Sequence, residues 1–198
     1  TWLTSAMYHD VDLFPLYEEF CRENSDGCEF DIDGNWVSDI YGSKEKIKME
    51  LFRRYHSIAA AGDRHLAEFC EGKWYLESPE RVEEMRFALT SVDFRKEDLV
   101  ERHEKARRLA SGEENVKIEP MQEEGVTQMR SLLGLCDFAT NVNLPNQGQI
   151  PNLPLGAVVE TNAVFRDNEV TPVLAGEIPA SIHPMVSRIC AEQESLSE

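Results

Sequence analysis

Bases are scarce in this chain. Its 198 residues carry 20 Lys and Arg against 37 Asp and Glu, a formal charge of −17. A surface of that sign repels phosphate, which excludes nucleic-acid binding by a basic patch, and it repels anionic lipid headgroups as well. Long apolar runs are missing too. No stretch approaches the roughly 20 apolar residues that a membrane-spanning helix needs. Cysteines are few and badly spaced for a metal: Cys21, Cys28, Cys70, Cys136 and Cys190 make an odd set with no CxxC pair. That spacing supports neither a zinc site nor a disulfide framework, and it predicts free, mostly buried thiols in a reducing cytoplasm. The glycine-rich phosphate loops GxGxxG and GxxxxGK[ST], the GxSxG elbow and the HExxH pair are all absent. An initiator Met and a signal peptide are missing as well, since the chain opens on Thr1-Trp2-Leu3. The expectation is a piece of a longer protein.

What is present is globular in composition, 41% hydrophobic and 9% aromatic. Residues 1–40 hold ten acids against the single base Arg22. Asp26, Glu29, Asp31 and Asp33 lack the order of a calcium-binding EF-hand loop and read as a solvated acidic loop. Apolar spacing predicts helices over 12–22 (Leu13, Leu16, Tyr17, Phe20), 44–56 (Ile47, Leu51, Phe52, Tyr55) and a short one from Asp63 carrying Leu66 and Phe69. Ser43 is the expected N-cap of the second helix and Asp63 that of the third. Ser78-Pro79 opens another helix. A charged helix around 96–110 has only a thin apolar stripe of Leu99, Ala106 and Leu109. A helix over 123–133 is expected to turn Val126, Met129, Leu132 and Leu133 inward. Strands follow over 138–144, 157–165 and 169–174, with Asp167-Asn168 at the hairpin turn, and a last helix covers 178–192. Helices first, then a small antiparallel sheet, then a helix again make the fold class α+β.

Two places carry groups able to do chemistry. His56, Asp63, Arg64, His65 and Glu68 fall at a helix–loop–helix junction, where a carboxylate and an imidazole sit two residues apart. A helix cap explains Asp63 equally well. Residues 141–154 hold four asparagines among prolines and glycine, and amides suit hydroxyl-rich ligands. The same residues also suit a plain turn.

Several segments, taken in order, resemble glycoside hydrolase family four, in its α-galactosidase/α-galacturonidase-like branch. They are Thr1-Trp2-Leu3-Thr4 with Asp12-Leu13-Phe14-Pro15-Leu16-Tyr17, then Leu51-Phe52-Arg53-Arg54-Tyr55 with Ala61-Gly62-Asp63-Arg64-His65-Leu66-Ala67-Glu68-Phe69, then Pro151-Asn152-Leu153-Pro154 with Ala157-Val158-Val159-Glu160. The resemblance implies a C-terminal domain of the lactate/malate dehydrogenase-like superfamily, with substrate-binding and oligomerisation duties over residues 1–198. It implies NAD and manganese as cofactors in the full-length enzyme, acting by oxidation of a sugar C3 hydroxyl, deprotonation at C2 and elimination of the glycosidic oxygen. That route departs from the usual two-carboxylate scheme. It gives Asp63 the role of catalytic base, puts Arg64 and His65 at the sugar or aglycone, and puts Asn141 and Asn146 near the site. The family's Rossmann half and most cofactor ligands would precede Thr1, so the chain alone is expected to be inactive. A cytoplasmic homodimer or higher homo-oligomer acting on a carbohydrate follows. The competing readings are a non-catalytic acidic self-association module and the C-terminal domain of a lactate or malate dehydrogenase relative.

Overall fold

The structure is a computed structural model, and it describes residues 1–28, 42–70, 72–116 and 124–197. Glu29, Asp31 and Asp33 of the acidic run lie outside the described residues. The chain forms two compact units, one over residues 2–120 and one over 121–198 joined by Thr1.

The first unit is mainly helical. Short strands β1 (Trp2–Leu3), β2 (Met7–Tyr8) and β3 (Val11–Asp12) lead into α1 (Phe14–Glu23) and α2 (Lys46–Tyr55). β4 (Ile58–Ala59), α3 (Asp63–Phe69), α4 (Gly72–Tyr75), α5 (Pro79–Met85) and α6 (Val92–Ser111) complete it. β2 pairs with β3, and β1 with β4, both antiparallel. The core lies between α1 and α2. Phe52 meets the rings of Tyr17 at 4.8 Å and Phe14 at 5.8 Å, edge to face, with Cys21 and Met49 beside it. On α1 the inward residues are therefore Phe14, Tyr17 and Cys21, while Leu16 and Phe20 are exposed. Gly27 is required where it stands. Its φ is +93°, and a Cβ there would come within 2.4 Å of the Lys44 carbonyl, which accepts the Cys28 amide.

Ser43 does not cap α2. Its hydroxyl accepts the Glu45 amide at 3.0 Å in a local turn, and Glu45 takes a left-handed conformation before Lys46 begins the helix. Residues 42–44 are instead fastened beside 86–88, through Lys44 to the Arg86 carbonyl and Ala88 to the Gly42 carbonyl, each 3.0 Å. Ser78 does cap α5, accepting from the Arg81 amide at 3.2 Å. α6 starts four residues earlier than its periodicity indicates, because Ser91 caps it at the Phe94 amide.

The second unit holds α7 (Gly125–Leu132), β5 (Phe138–Pro145), β6 (Val158–Arg166), β7 (Glu169–Pro172) and α8 (His183–Ser197). The sheet order is β5-β6-β7, antiparallel, with Phe138 opposite Phe165 and Arg166 opposite Glu169. Asp167 and Asn168 both have positive φ, 46° and 67°, as a two-residue hairpin turn demands. Leu153 and Val159 pack with Cys190 of α8, and Ile150, Ile178 and Val186 close around them. The inward face of α7 differs from its apolar stripe: Val126, Met129 and Leu133 are exposed, and Ser131 is buried. The Ser131 hydroxyl lies 3.3 Å from the Cys136 thiol, and its carbonyl accepts the Asp167 amide, so the small polar residue lets the helix approach the hairpin. All five cysteines are free. Among the described residues no helix is long and apolar enough to cross a membrane.

Candidate functional site

The α2–α3 junction is built around one carboxylate. β4 runs out through Ala60 and Ala61, and Gly62 occupies the N-cap of α3, its carbonyl accepting the His65 and Leu66 amides. Asp63 is thus the first residue of α3, not its cap. Its side chain is fully buried and turns away from its own helix, toward α2. Oδ2 accepts the Ile47 amide at 3.1 Å and Oδ1 the Lys48 amide at 3.0 Å. These are two of the orphan donors at the start of α2, so Asp63 caps a neighbouring helix across 15 residues of chain. Burial pushes its pKa up to about 6, and the nearby Glu45 carboxylate adds to the rise. The two amides and the Ser43 hydroxyl pull the other way without winning.

The neighbours of Asp63 point elsewhere. The half-buried Arg64 donates from Nη1 to the Thr90 hydroxyl at 2.6 Å. The exposed His65 lies 3.4 Å from Glu68 on the next turn. His56 does not join them. It closes the C-terminal end of α2 in a left-handed conformation against the Phe52 ring, whereas Asp63 binds the opposite end, about 15 Å away along the axis. Among the described residues no three His, Cys, Asp or Glu side chains form a group able to hold a metal.

Asn141 and Asn146 belong to the other unit. Asn146 is buried and turned inward. Its Nδ2 donates to the carbonyls of Ile150, Leu153 and Pro154 at 2.9–3.1 Å, and its Oδ1 accepts the Gly148 and Ile150 amides at 3.2 Å. That is a loop-building role, and it leaves the amide nothing to offer a sugar. Asn152 acts alike, exchanging two bonds with the Ile178 backbone at 2.8 and 2.9 Å. Asn141 is exposed on β5 opposite Asn162, on the face that also carries Asn143 and Glu160. Asn162 and Glu160 were not singled out by sequence, although their alternation along β6 marks the same outward face. An open depression of about 260 Å³ lies nearby in sequence, lined by Gln147, Gly148, Gln149, Pro172 and Leu174.

A helical unit and a unit with an antiparallel three-stranded sheet, with a carboxylate-centred junction in the first, define a domain of mixed architecture rather than a self-contained Rossmann enzyme. Residues 1–198 match the family 4 glycosyl hydrolase C-terminal domain, and the chain belongs to that family. An α-galacturonidase of Thermoanaerobacterium saccharolyticum is 48% identical over 196 residues, which cover 98% of this chain and 42% of the relative. The crystal structure of the Bacillus subtilis protein lplD, described as a glucosidase, superposes with a TM-score of 0.86 at 40% identity, covering 98% of this chain and 44% of that one. A 6-phospho-β-glucosidase of Thermotoga maritima, solved with manganese, NAD+ and glucose-6-phosphate, shares the fold at a TM-score of 0.56 and 18% identity, over 98% of this chain and 39% of that one. The chain spans less than half the length of these relatives. The family match displaces the competing reading of a lactate or malate dehydrogenase relative, while the α+β fold class stands.

Proposed function

We propose that this chain is the substrate-binding and oligomerisation half of a cytoplasmic α-galacturonidase that depends on NAD and manganese. The observation that carries the reading is the match over the whole chain to the family's C-terminal domain, together with a named α-galacturonidase at 48% identity. The manganese and NAD+ held by the Thermotoga maritima relative support the cofactors. In this reading the cofactors supply sugar oxidation and Lewis acidity, and their ligands lie largely in the part of the protein beyond this chain. The chain alone is then inactive.

Within the site we assign Asp63 as the base that removes the C2 proton. A carboxylate raised to about 6 is a stronger base than an ordinary one and is still ionised near neutrality. Its two amide bonds fix its direction. Arg64 carries a planar, permanently charged guanidinium, the group that matches a uronate carboxylate. His65, exposed beside Arg64 on α3, is assigned to a sugar hydroxyl.

The test uses the full-length protein, an α-galacturonide, NAD and manganese. Hydrolysis should need both cofactors, and the product formed in D2O should carry deuterium at C2. Asp63→Asn keeps one acceptor oxygen for α2, so it should fold yet lose 100-fold or more in rate, in line with the usual weight of a general base. Hydrolysis without either cofactor, or product free of C2 deuterium, overturns the mechanism. A folded Asp63→Asn enzyme within tenfold of the parent rate overturns the assignment of the base.

A further inference from the structure

We propose that α6 is a self-association helix, pairing antiparallel with α6 of a second copy across a two-fold axis. The inference rests on the oligomer in the reading above and names its surface.

α6 is 20 residues long, hence about 30 Å, and none of its residues is buried. It is a finished helix at both ends, capped by Ser91 at the start and by Gly112 in a left-handed conformation at the end. Its own ion pair, Asp98 to Arg102 at 2.8 Å, braces the middle. Phe94, Asp98, Arg108 and Leu109 are half-buried and the other residues of the helix are exposed, so most of this stable rod faces outward.

What the rod offers is narrow. Val92, Leu99 and Ala106 recur every seven residues, with Leu109 continuing the stripe. Val92 is 68% exposed and Leu99 53%. A seam this thin is the width that another helix covers, not the width of a membrane surface or a domain core.

Charge selects the partner. α6 carries six of the chain's 20 bases against five acids, a net +1 in a chain of −17. Two copies repel each other over the rest of the surface and are relieved of that repulsion here. The charge is also polarised along the helix. Residues 92–101 sum to −2 and residues 102–111 to +3. Arg107 and Arg108 meet Glu113 and Glu114 just beyond the helix. Including those two acids leaves the second half at +1, still opposite in sign to the first. A two-fold axis perpendicular to the helix lays each half against the opposite half of its mate, which is the arrangement this polarity favours.

Sedimentation velocity on the full-length protein tests the pairing. The parent should self-associate. Leu99→Glu, and separately Glu97→Lys with Glu101→Lys, should weaken association tenfold or more, with far-UV circular dichroism unchanged. Adding Arg107→Glu and Arg108→Glu to the second variant reverses both halves and should restore association. A parent that is monomeric at micromolar concentration overturns the oligomer and the pairing together. An oligomer indifferent to these variants, or one that the double reversal weakens further, overturns the pairing alone. Hydrolytic activity is read in parallel, so a failure of association is separate from a failure of the glycosidase reading.

Discussion

Asp63 concentrates the tension in this molecule: a fully buried carboxylate held by two helix-end amides, yet with its pKa raised to about 6 because burial outweighs them. The sign for stability follows from linkage. With an ordinary value of 3.8 in the unfolded chain, the folded state holds its proton to higher pH. The contribution is fully present below pH 3.8 and is lost as pH rises through 6. Over that window it reaches about 3 kcal/mol. Asp63→Asn removes the titration, so its stability relative to the parent should improve by up to about that amount between pH 4 and pH 7, read by urea unfolding of the full-length protein. A difference that is flat with pH would mean that the carboxylate is not desolvated. The sequence marked Asp63 as a residue of consequence and as a helix cap, but it could not show which helix. A cap across 15 residues has no local signature. Asn146 teaches the converse. Its neighbours spelled a polar loop, and the side chain proves to be the loop's inner fastening. Asn146→Ala removes the side-chain partner of the Gly148 and Ile150 amides and of the Leu153 and Pro154 carbonyls in a largely buried loop, while the Ile150 carbonyl keeps the Leu153 amide, and unfolding should register a loss of about 2–3 kcal/mol. A loss under 0.5 kcal/mol would show that solvent replaces those bonds.

At the scale of elements, local chemistry proved readable where it is local. Ser78-Pro79 opens α5, and Asp167-Asn168 turns the β6–β7 hairpin, because both signals act through bonds within three residues. The stripe of α7 misled because burial depends on what packs beside a helix. The hairpin accepts the small Ser131 side and leaves Val126, Met129 and Leu133 exposed. The strands β1 to β4 have two residues each and leave no alternation to detect. The isolation of α6 yields a sharp expectation. No residue of α6 is fully buried within the chain, so the helix leans on its caps and its own ion pair, and Ser91→Ala should cost about 1 kcal/mol locally. Hydrogen exchange should then quicken across the first turns of α6 while the α2 core keeps its protection. Slowed or unchanged exchange in that turn would mean that the Ser91 cap adds nothing to the stability of the helix end.

Across the whole molecule the charge sets the terms. Residues 1–40 account for −9 of the −17, and part of that acidity lies outside the described residues. The ion pairs that oppose the repulsion are mostly solvent-facing: Arg22 with Glu19, Arg81 with Glu84, Arg107 with Glu113 and Arg166 with Asp137. Exposed pairs of this kind contribute between nothing and about 1 kcal/mol each, and salt weakens them. Salt also screens the general repulsion, whose range reaches about 10 Å at 0.1 M and 30 Å at 0.01 M. Acids outnumber bases nearly two to one, so more repulsive pairs than attractive ones lie within that reach, and the screened repulsion is the larger effect. The 198-residue chain should therefore become more stable when sodium chloride rises from 0.01 M to 0.5 M. A gain of about 1 kcal/mol would appear as a thermal midpoint raised by about 2–4 °C. A midpoint that falls instead would show that the surface pairs act as a network, and that the acidic surface is held together by the bases it has.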